Sequence, residues 1–278
     1  MTLSLEATST NLEPSSEIET RRRRRLPVLW ISVATIAALV SLWSLVSFYG
    51  LAPPLFLPSP LAVLRALSAL TLTGFVDATL AQHLAASLSR IFGALGVALV
   101  LGVPAGLAIG TSRWGKGILD PIVEFLRPLP PLAYLPLVII WLGIGEASKI
   151  AVIALAMLPP IILSTAAGVK SASVDHINAA RAFGASRRQL LSHVILPGAL
   201  PSILTGTRIA LGAGWSTLVA AELVAATRGL GFMIQSAAQF LVTDIVIAGI
   251  VVIAVVAFLF EVVARWIERR LVPWSNHR

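Results

Sequence analysis

The side chains of this chain that could do chemistry are few, and they do not form the pattern of a metal site. The 278 residues include no cysteine and only four histidines, none of which has ligand spacing to another. Neither thiolate chemistry nor a metal site is therefore expected. The remaining candidates are Arg127, Arg208 and Glu222, which interrupt long apolar stretches. An ionised group is costly there and is kept for a structural or functional reason.

Arg208 and Glu222 lie on one apolar stretch, 14 residues apart. That separation is about 21 Å along a helix, so the two charges do not pair with each other. Arg208 is expected to extend to the nearer membrane surface. For Glu222 the first interpretation is a structural ion pair, with Arg228 or with another helix. For Arg127 it is a structural role in a segment interrupted by prolines.

One nucleotide-binding pattern occurs and is rejected. Residues 110–116, GTSRWGK, fit the first part of a P-loop. That motif needs a strand before it and Ser or Thr directly after the lysine to hold Mg²⁺. Here an apolar span precedes it and Gly117 follows. We interpret it as a glycine-rich turn and expect no nucleotide cofactor in this chain.

The composition predicts an all-α, polytopic membrane protein. Hydrophobic residues make up 57% of the chain and charged residues only 12%, against about 25% charged in an average soluble domain. The net charge of +8 is concentrated in a block, Arg21–Arg25, directly before the first apolar stretch. That is the flank of an inserted helix rather than a nucleic-acid surface. We expect residues 1–25 to be a cytosolic, disordered, basic N-terminus.

About six spans are predicted from stretches near the 20 apolar residues that cross a bilayer. Their approximate bounds are 28–49, 88–110, 119–143, 148–169, 201–226 and 243–264. The third contains five prolines and three charged residues, so we do not expect one straight lipid-facing helix. The fourth contains Pro159-Pro160 and is expected to be kinked.

The distribution of Lys and Arg predicts a cytosolic N-terminus and C-terminus. With six spans, fifteen of these residues fall on the side of the N-terminus and four on the other side, which is the positive-inside pattern. On the outer side, Ser59-Pro60 reads as the cap and first residue of a short helix. Leucines at 61, 64, 67 and 70 place it either flat on the membrane surface or packed on the spans.

Small residues recur on the fifth predicted span at positions 206, 210 and 214, and at 213, 217 and 221. Such spacing allows close helix packing. We expect one of these faces to pack within the subunit and the other to lie near a pathway between two copies.

The segment between the fourth and fifth predicted spans is too long and too well punctuated for a plain loop. Asp175 is a candidate cap for a first short helix, and Gly184 fits the left-handed position that ends it. Ser186 and Gln189 have the spacing of a capping box for a second helix. Pro197-Gly198 is expected to turn the chain back to the bilayer. A rigid, cytosolic helix pair of this kind suits the docking of a soluble partner.

The residues NAARAFG and VILP, residues 178–184 and 194–197, resemble the cytosolic EAA loop of the integral-membrane permease subunits of bacterial ABC importers. Ala179, Ala180, Gly184, Leu196 and Pro197 match that pattern in register. Val194 replaces an isoleucine, and Asn178 stands where the family usually has glutamate. By this resemblance residues 171–200 form the coupling loop. Its contact residues are Asn178, Ala179, Ala180, Arg181, Phe183, Gly184, Ala185, Leu196 and Pro197.

The likeness extends over roughly residues 50–275, through FLPSP, LRPLPPLAYLPLVIIWLGIGEASK and LPGALPSILTGTRIALG. These stretches resemble the branch of permeases that transports taurine, alkanesulfonates, nitrate and bicarbonate. ATLAQHLAASLSRI together with GWSTLVAAELVAATRGLGFMIQSA is most similar to taurine permeases. The implied divisions are a first span with an outer loop at 26–83, a permease core at 84–268 and a cytosolic tail at 269–278.

The resemblance implies a non-catalytic transport subunit in a bacterial inner membrane. It implies a second copy of the chain, two cytosolic ATP-binding subunits that hold ATP and Mg²⁺, and a periplasmic or lipid-anchored substrate-binding protein. Under it, Trp215, Ser216 and Thr217 are expected to line or close the pathway. Glu222 would then contribute to an outer gate or meet a substrate ammonium, and Arg127 could attract a sulfonate.

Two functions of other classes stay open on the residues alone. An ion-coupled secondary transporter usually shows repeated halves and ion-coupling acids near mid-membrane, and neither is evident here. A membrane anchor that recruits a cytosolic partner would not need spans broken by proline.

Overall fold

The structure, a computed structural model, describes residues 28–273, apart from the side chains of residues 28, 29, 31 and 225. The predicted disordered N-terminus, residues 1–25, and the end of the tail from 274 lie outside this range. The chain divides into two compact units, residues 1–43 and 44–278. The described part of the first unit is helical.

The described residues contain helices and no strand, as the composition predicts. The helices, in chain order, are α1 Val28–Phe48, α2 Pro60–Leu72, α3 Leu80–Thr111, α4 Arg113–Leu126, α5 Leu135–Leu142, α6 Glu146–Lys170, α7 Val174–Ala182, α8 Arg187–Leu190, α9 Leu196–Ala225, α10 Leu230–Gln239 and α11 Thr243–Leu271. A 3-10 turn, Pro131–Tyr134, precedes α5, and a π-helical segment, Leu191–Ile195, joins α8 to α9.

Four helices of the described residues are long and apolar enough to cross a bilayer. They are α3, α6, the continuous helix Arg187–Val224 that contains α9, and α11. The pair formed by α4 and the segment Pro131–Leu142 counts as a fifth span if it is taken as one, and it is bent by 94°. This bend confirms that the proline-rich third span is not straight. The predicted count of six is not confirmed, because four or five crossing segments are established among the described residues.

The third predicted span bends because its prolines follow one another too closely for a helix. Residues 128, 130 and 131 are prolines, and each lacks the N–H that an α-helix would use at that position. Helix α4 therefore ends at Leu126, and a 3-10 turn restarts the chain at Pro131. The Tyr134 hydroxyl donates to the carbonyl oxygen of Leu129 at 3.2 Å. This bond supplies one of the partners that the broken helix has lost.

Helix α6 is the centre of the bundle and packs against α3 on one side and α9 on the other. Its most apolar stretch is 50% buried, against 28% for α3 and 17% for α11. Helices α6 and α9 approach each other closely at the predicted small residues of α9. Gly206 faces Ser164 of α6, and Gly214 faces Met157 of α6. The predicted packing of this face within the subunit is thus confirmed.

The approach of α3 to α6 uses a glycine stripe that the sequence analysis did not single out. Gly102, Gly106 and Gly110 recur every four residues along α3 and face Ile161, Thr165 and Val169 of α6. A Cβ atom at Gly106 would lie 2.6 Å from the carbonyl oxygen of Ile162. Because that oxygen belongs to the backbone of α6, the two helices would have to separate.

Helix α2 begins as predicted, with Ser59 as its cap and Pro60 at its first position. The Ser59 hydroxyl oxygen accepts from the amide of Ala62 at 3.2 Å. The helix packs on α11 and α3, which was one of the two predicted placements.

The predicted leucine stripe is not the buried face of α2. Val63, Ala66 and Leu70 are buried, whereas Leu61 and Leu64 are exposed. Residues spaced by three drift by about 60° per step around an α-helix, so four such leucines cannot share one face.

We expect the substitution Gly106→Ala to destabilise the bundle, because the added methyl group meets the backbone of α6. Overpacking of this kind costs about 1–3 kcal/mol. The measurement is the melting temperature of the detergent-solubilised protein, read from the loss of the monodisperse peak after heating. Gly96→Ala is the matched control, since Gly96 lies on the same helix with nothing within 4 Å of an added Cβ. A melting temperature for Gly106→Ala at or above that of the control would contradict the close packing.

Candidate functional site

The predicted helix pair between α6 and α9 is present, and its first helix ends as the sequence indicated. Gly184 has φ of 79°, which is the left-handed conformation that glycine adopts without strain. The amide of Gly184 donates to the carbonyl oxygen of Arg181 at 2.9 Å. The amide of Ala185 donates to the carbonyl oxygen of Ala180 at 3.0 Å. These two bonds form a Schellman motif, which fixes the exit of the chain from α7.

The second helix of the pair starts with the predicted capping box. The amide of Gln189 donates to the Ser186 hydroxyl, and the Gln189 side-chain oxygen accepts from the amide of Ser186 at 2.9 Å. Backbone hydrogen bonds at the end of α7 and side-chain hydrogen bonds at the start of α8 therefore hold the turn between the two helices.

Two details of this segment differ from the prediction. Asp175 is not the cap of α7, because the helix starts earlier, at Val174, with Ser173 in the cap position. Pro197-Gly198 does not turn the chain, since both residues are the start of α9. The π-helical segment before Pro197 shifts the hydrogen bonds by one residue, so the amide of Leu196 donates to the carbonyl oxygen of Leu191. A proline can follow such a shift without breaking the helix.

The predicted contact residues of the coupling loop lie on the outside of the helix pair. Phe183 is 92% exposed, which is extreme for a phenylalanine. Asn178, Ala179, Arg181 and Gly184 are also exposed. The remaining predicted residues are half-buried at the base of the pair: Ala180, Ala185, Leu196 and Pro197. The pair thus presents an apolar tip surrounded by small and polar residues.

A cavity of about 520 Å³ lies where the third span breaks. It is an open cavity that is bordered by the end of α4, the 3-10 turn, the middle of α6 and the middle of α9. Two of the predicted pathway residues, Arg127 and Thr217, contribute to its lining. The hydroxyl of Thr217 donates to the carbonyl oxygen of Ala213 at 2.9 Å, which fixes its orientation.

The other predicted pathway residues lie elsewhere. Trp215 and Ser216 line a second cavity, of about 280 Å³, between α9 and α11. The Trp215 ring packs edge-on against Phe260 at 5.2 Å between centroids. Successive residues of a helix point about 100° apart, so Trp215, Ser216 and Thr217 cannot all face one cavity. The five predicted residues therefore do not form a single site.

Glu222 lies in a buried polar cluster that joins three helices. Its carboxylate accepts from Arg90 Nη1 at 2.6 Å, from the Ser87 hydroxyl at 2.8 Å and from the amide of Gly231 at 2.8 Å. Its side chain is only 1% exposed. One predicted interpretation, a structural pair with another helix, is what the structure shows. The other partner named in advance, Arg228, contributes only its carbonyl oxygen, which accepts from Arg90.

Arg90 is the centre of this cluster. It binds both oxygens of Glu146, at 2.6 and 2.9 Å, in addition to Glu222. Lys149 Nζ donates to Glu146 at 2.7 Å. A bidentate guanidinium–carboxylate pair is the geometry in which charge-assisted hydrogen bonds are strongest. Because Arg90, Glu146 and Glu222 belong to α3, α6 and α9, the cluster ties together one end of the central bundle.

The chain closes over this cluster at the start of α10. The amide of Leu230 donates to the Ser87 hydroxyl at 2.9 Å, and the amide of Gly229 donates to His83 Nδ1 at 3.2 Å. His83 Nε2 is 3.0 Å from the carbonyl oxygen of Phe75. The first amides of a helix have no partner within it, and here they bind the cluster.

Most of this cluster was not predicted from the sequence. Arg90 was counted among the four Lys and Arg residues on the outer side, because the second span was predicted to begin near residue 88. Helix α3 begins at Leu80, so Arg90 lies well inside it. The signal that could have found the cluster is the spacing of His83, Ser87 and Arg90, which share one helical face. These residues and Glu222 lie in the two sequence motifs that resemble taurine permeases, and the structure brings those motifs together.

Arg208 also has partners that the sequence did not predict. Its Nη1 donates to Glu268 at 3.1 Å, and its Nε lies 3.7 Å from Glu261. Both acids are on α11. Arg208 therefore joins α9 to α11 rather than only extending to a membrane surface.

Comparison with known proteins agrees with this geometry. The family described as "binding-protein-dependent transport system inner membrane component" matches residues 98–273. The chain belongs to this family. The match includes the second part of α3, all of α6, the helix pair and α9, whereas Arg90 and the start of α3 precede it.

Individual members of the family are similar over nearly the whole chain. The taurine transport system permease protein TauC of Escherichia coli strain K12 is 57% identical over 263 residues, which cover 91% of this chain and 95% of TauC. The permease protein SsuC of the same strain, named for aliphatic sulfonate transport, is 40% identical, over 85% of this chain and 89% of SsuC.

A solved relative shares the fold. The structure of the MetNI methionine ABC transporter in inward-facing conformations contains a chain that matches with a TM-score of 0.60 and 22% identity. The match covers 67% of this chain and 93% of that one. The bundle described here is thus the fold of an ABC transporter permease.

Removal of the buried carboxylate by Glu222→Ala is expected to lower the free energy of unfolding by about 3 kcal/mol or more, because it leaves part of the Arg90 charge without its partner. Glu261→Ala is the control, since it removes an acid that is 40% exposed, for which about 1 kcal/mol or less is expected. Thermal unfolding of the two purified variants measures the difference. Equal shifts would mean that the Arg90 cluster does not hold the bundle.

Proposed function

We propose that the chain is the membrane-spanning permease subunit of an ATP-driven importer for taurine or a related small sulfonate. The observation that carries the substrate class is the 57% identity to a taurine permease over 91% of this chain. The conserved fold and the exposed helix pair support the coupling to a separate ATPase. Alkanesulfonate, nitrate and bicarbonate are the alternative substrates within the same branch.

The proposed assembly has two copies of this chain, two cytosolic ATP-binding subunits and an extracytoplasmic binding protein, which is periplasmic or lipid-anchored. ATP and Mg²⁺ are bound and ATP is hydrolysed in the partner subunits. The permease lies in a bacterial inner membrane, with its N-terminus and C-terminus in the cytosol. The positive-inside distribution of Lys and Arg supports this orientation, and it places the helix pair on the side of the ATPase.

The helix pair is proposed as the coupling element because of how it joins the bundle. The second helix of the pair, the π-helical segment and α9 form one continuous helix of 38 residues, Arg187–Val224. A displacement of α8 by a closing ATPase is therefore passed to α9 without an intervening flexible loop. Thr217 of α9 lines the cavity of about 520 Å³ at the break of the third span, which we call the central cavity. Movement at the cytosolic end would thus change the cavity within the bilayer, as alternating access requires.

The pathway is proposed to run through the central cavity. Arg127 and Thr217 line this cavity, and Trp215 and Ser216 face the neighbouring one beside α11. We assign Glu222 to an outer gate. Its role there is to hold together α3, α9 and α10, whose groups meet at its carboxylate. In this role its carboxylate stays on Arg90 and does not meet the substrate.

Uptake of labelled taurine by cells with and without the gene tests the function. Loss of uptake on deletion, with wild-type uptake that persists under an uncoupler, is the expected result. Excess unlabelled nitrate should not compete. Uptake that collapses with the ion gradient would instead indicate a secondary transporter. Unchanged taurine uptake would move the substrate assignment to another anion of the branch.

Phe183→Ala is expected to weaken binding of the ATPase subunit by about tenfold or more, because burial of a phenylalanine contributes about 1.5–3 kcal/mol. Co-purification of the ATPase subunit and taurine uptake should fall together, while the melting temperature of the permease stays unchanged. Trp114→Ala is the matched control, since Trp114 is 81% exposed in the first turn of α4 and lies outside the helix pair. Equal ATPase retention by both variants would contradict the assignment of the coupling loop.

A further inference from the structure

The cavity of about 520 Å³ lies halfway along the helices that border it. Its lining from α6 spans residues 155–164 of a helix that runs from 146 to 170. Its lining from α9 spans residues 209–217 of a helix that runs from 196 to 225. The cavity volume is within the range of about 300–1,000 Å³ that is common for small-molecule sites. A break in a span at this depth is where transporters tend to bind their substrates.

The charge in the cavity lining is positive. Arg127 is the only ionisable group that contributes to the lining apart from the phenol of Tyr134, so the described lining has no carboxylate. The Arg127 guanidinium forms no ion pair or hydrogen bond with any described residue, in contrast to the guanidinium groups of Arg90, Arg208 and Arg265. Arg127 is exposed, and an accessible guanidinium without a counter-ion at a cavity wall is suited to an anionic ligand.

The opposite wall of the cavity offers main-chain acceptors. Pro159 and Pro160 lie within α6, and neither has an amide hydrogen. The carbonyl oxygens of Leu155 and Ala156 therefore lack the donor four residues ahead that a helix normally supplies. Leu155, Ala156 and both prolines contribute to the cavity lining. Carbonyl oxygens without a helical donor can accept from an ammonium group.

We propose that this cavity is a low-affinity subsite for a zwitterionic aminosulfonate. The sulfonate lies on the Arg127 guanidinium, and the ammonium lies at the carbonyl oxygens of Leu155 and Ala156. This inference rests on the proposed function for its substrate class and adds a binding site within the spans. The absence of a carboxylate in the described lining makes the site unsuitable for a substrate with a net positive charge. The ammonium is held by neutral acceptors, so the contact is weak enough for release.

The test uses the permease with its ATPase subunits in lipid nanodiscs, without the binding protein, which has a site of its own. Saturation-transfer NMR titrations with taurine and with ethanesulfonate, which lacks the ammonium, measure the two ends of the site separately. Arg127→Gln should weaken binding of both ligands by about tenfold or more, because it removes a charge-assisted hydrogen bond to the sulfonate. Arg127→Lys should recover part of the loss.

The double variant Pro159→Ala/Pro160→Ala restores amide donors to the two carbonyl oxygens. It should weaken taurine binding severalfold and leave ethanesulfonate binding unchanged. Arg113→Gln is the matched control, because Arg113 is an exposed arginine at the start of the same helix α4 and does not line the cavity. It should bind both ligands as the wild type does.

Binding by Arg127→Gln within twofold of the wild type would overturn the subsite, and so would a wild-type complex that binds neither ligand. A proline double variant that loses both ligands equally would overturn the assignment of the ammonium end. These results are independent of cellular taurine uptake. The proposed function can therefore fail while the anion subsite is found, and the subsite can fail while uptake is confirmed.

Discussion

The close contact of α6 with α3 and α9 is the constraint on which the rest of the structure depends. In a bilayer, lipid chains are as apolar as leucine side chains, so helices associate through tight packing rather than through the hydrophobic effect. Gly106 lets the backbone of α6 approach α3, and Gly206 lets it approach α9. Pro159 and Pro160 lie in the middle of α6, where they line a cavity and leave the carbonyl oxygens of Leu155 and Ala156 without the usual helical amide donor.

A charged cluster around the buried Arg90 and Glu222 completes the packing at one end of the bundle, and its third member, Glu146, is 58% exposed. Arg90, Glu146 and Glu222 come from three different helices and are fully paired with one another and with backbone groups. Breaking such a pair leaves a charge without a partner and costs more than the intact pair contributes. The cluster therefore acts as a specific lock on the relative positions of α3, α6 and α9. The Arg127 side chain, by contrast, is exposed at the cavity where the third span breaks and has no ion-pair partner among the described residues.

The helix pair at the start of α9 is a second, separate feature of the fold. Its caps fix the turn between α7 and α8, and it exposes Phe183. The π-helical segment lets the helix pass through Pro197 without a break. One continuous helix thus connects the exposed helix pair to the cavity at the break of the third span, and the proposed coupling role rests on this connection.

The amino-acid sequence by itself determined the class of the protein, the helix pair and the break in the third span. These features depend on local rules: apolar length, capping residues, glycine at a left-handed position, and the missing amide of proline. The cap of α7, the start of α3 and the path through Pro197 were predicted wrongly, because neighbouring residues offered competing local signals.

Only the tertiary structure decided which charges meet and which residues share a cavity. Arg90 and Glu222 are 132 residues apart in the chain, and nothing in their spacing indicates a 2.6 Å contact. Thr217 was predicted to act with Trp215 and Ser216, yet helical geometry turns it toward Arg127 instead. Pairings of this kind depend on the angle and register at which whole helices pack. Those are set by many small contacts at once, which no local pattern in the sequence records.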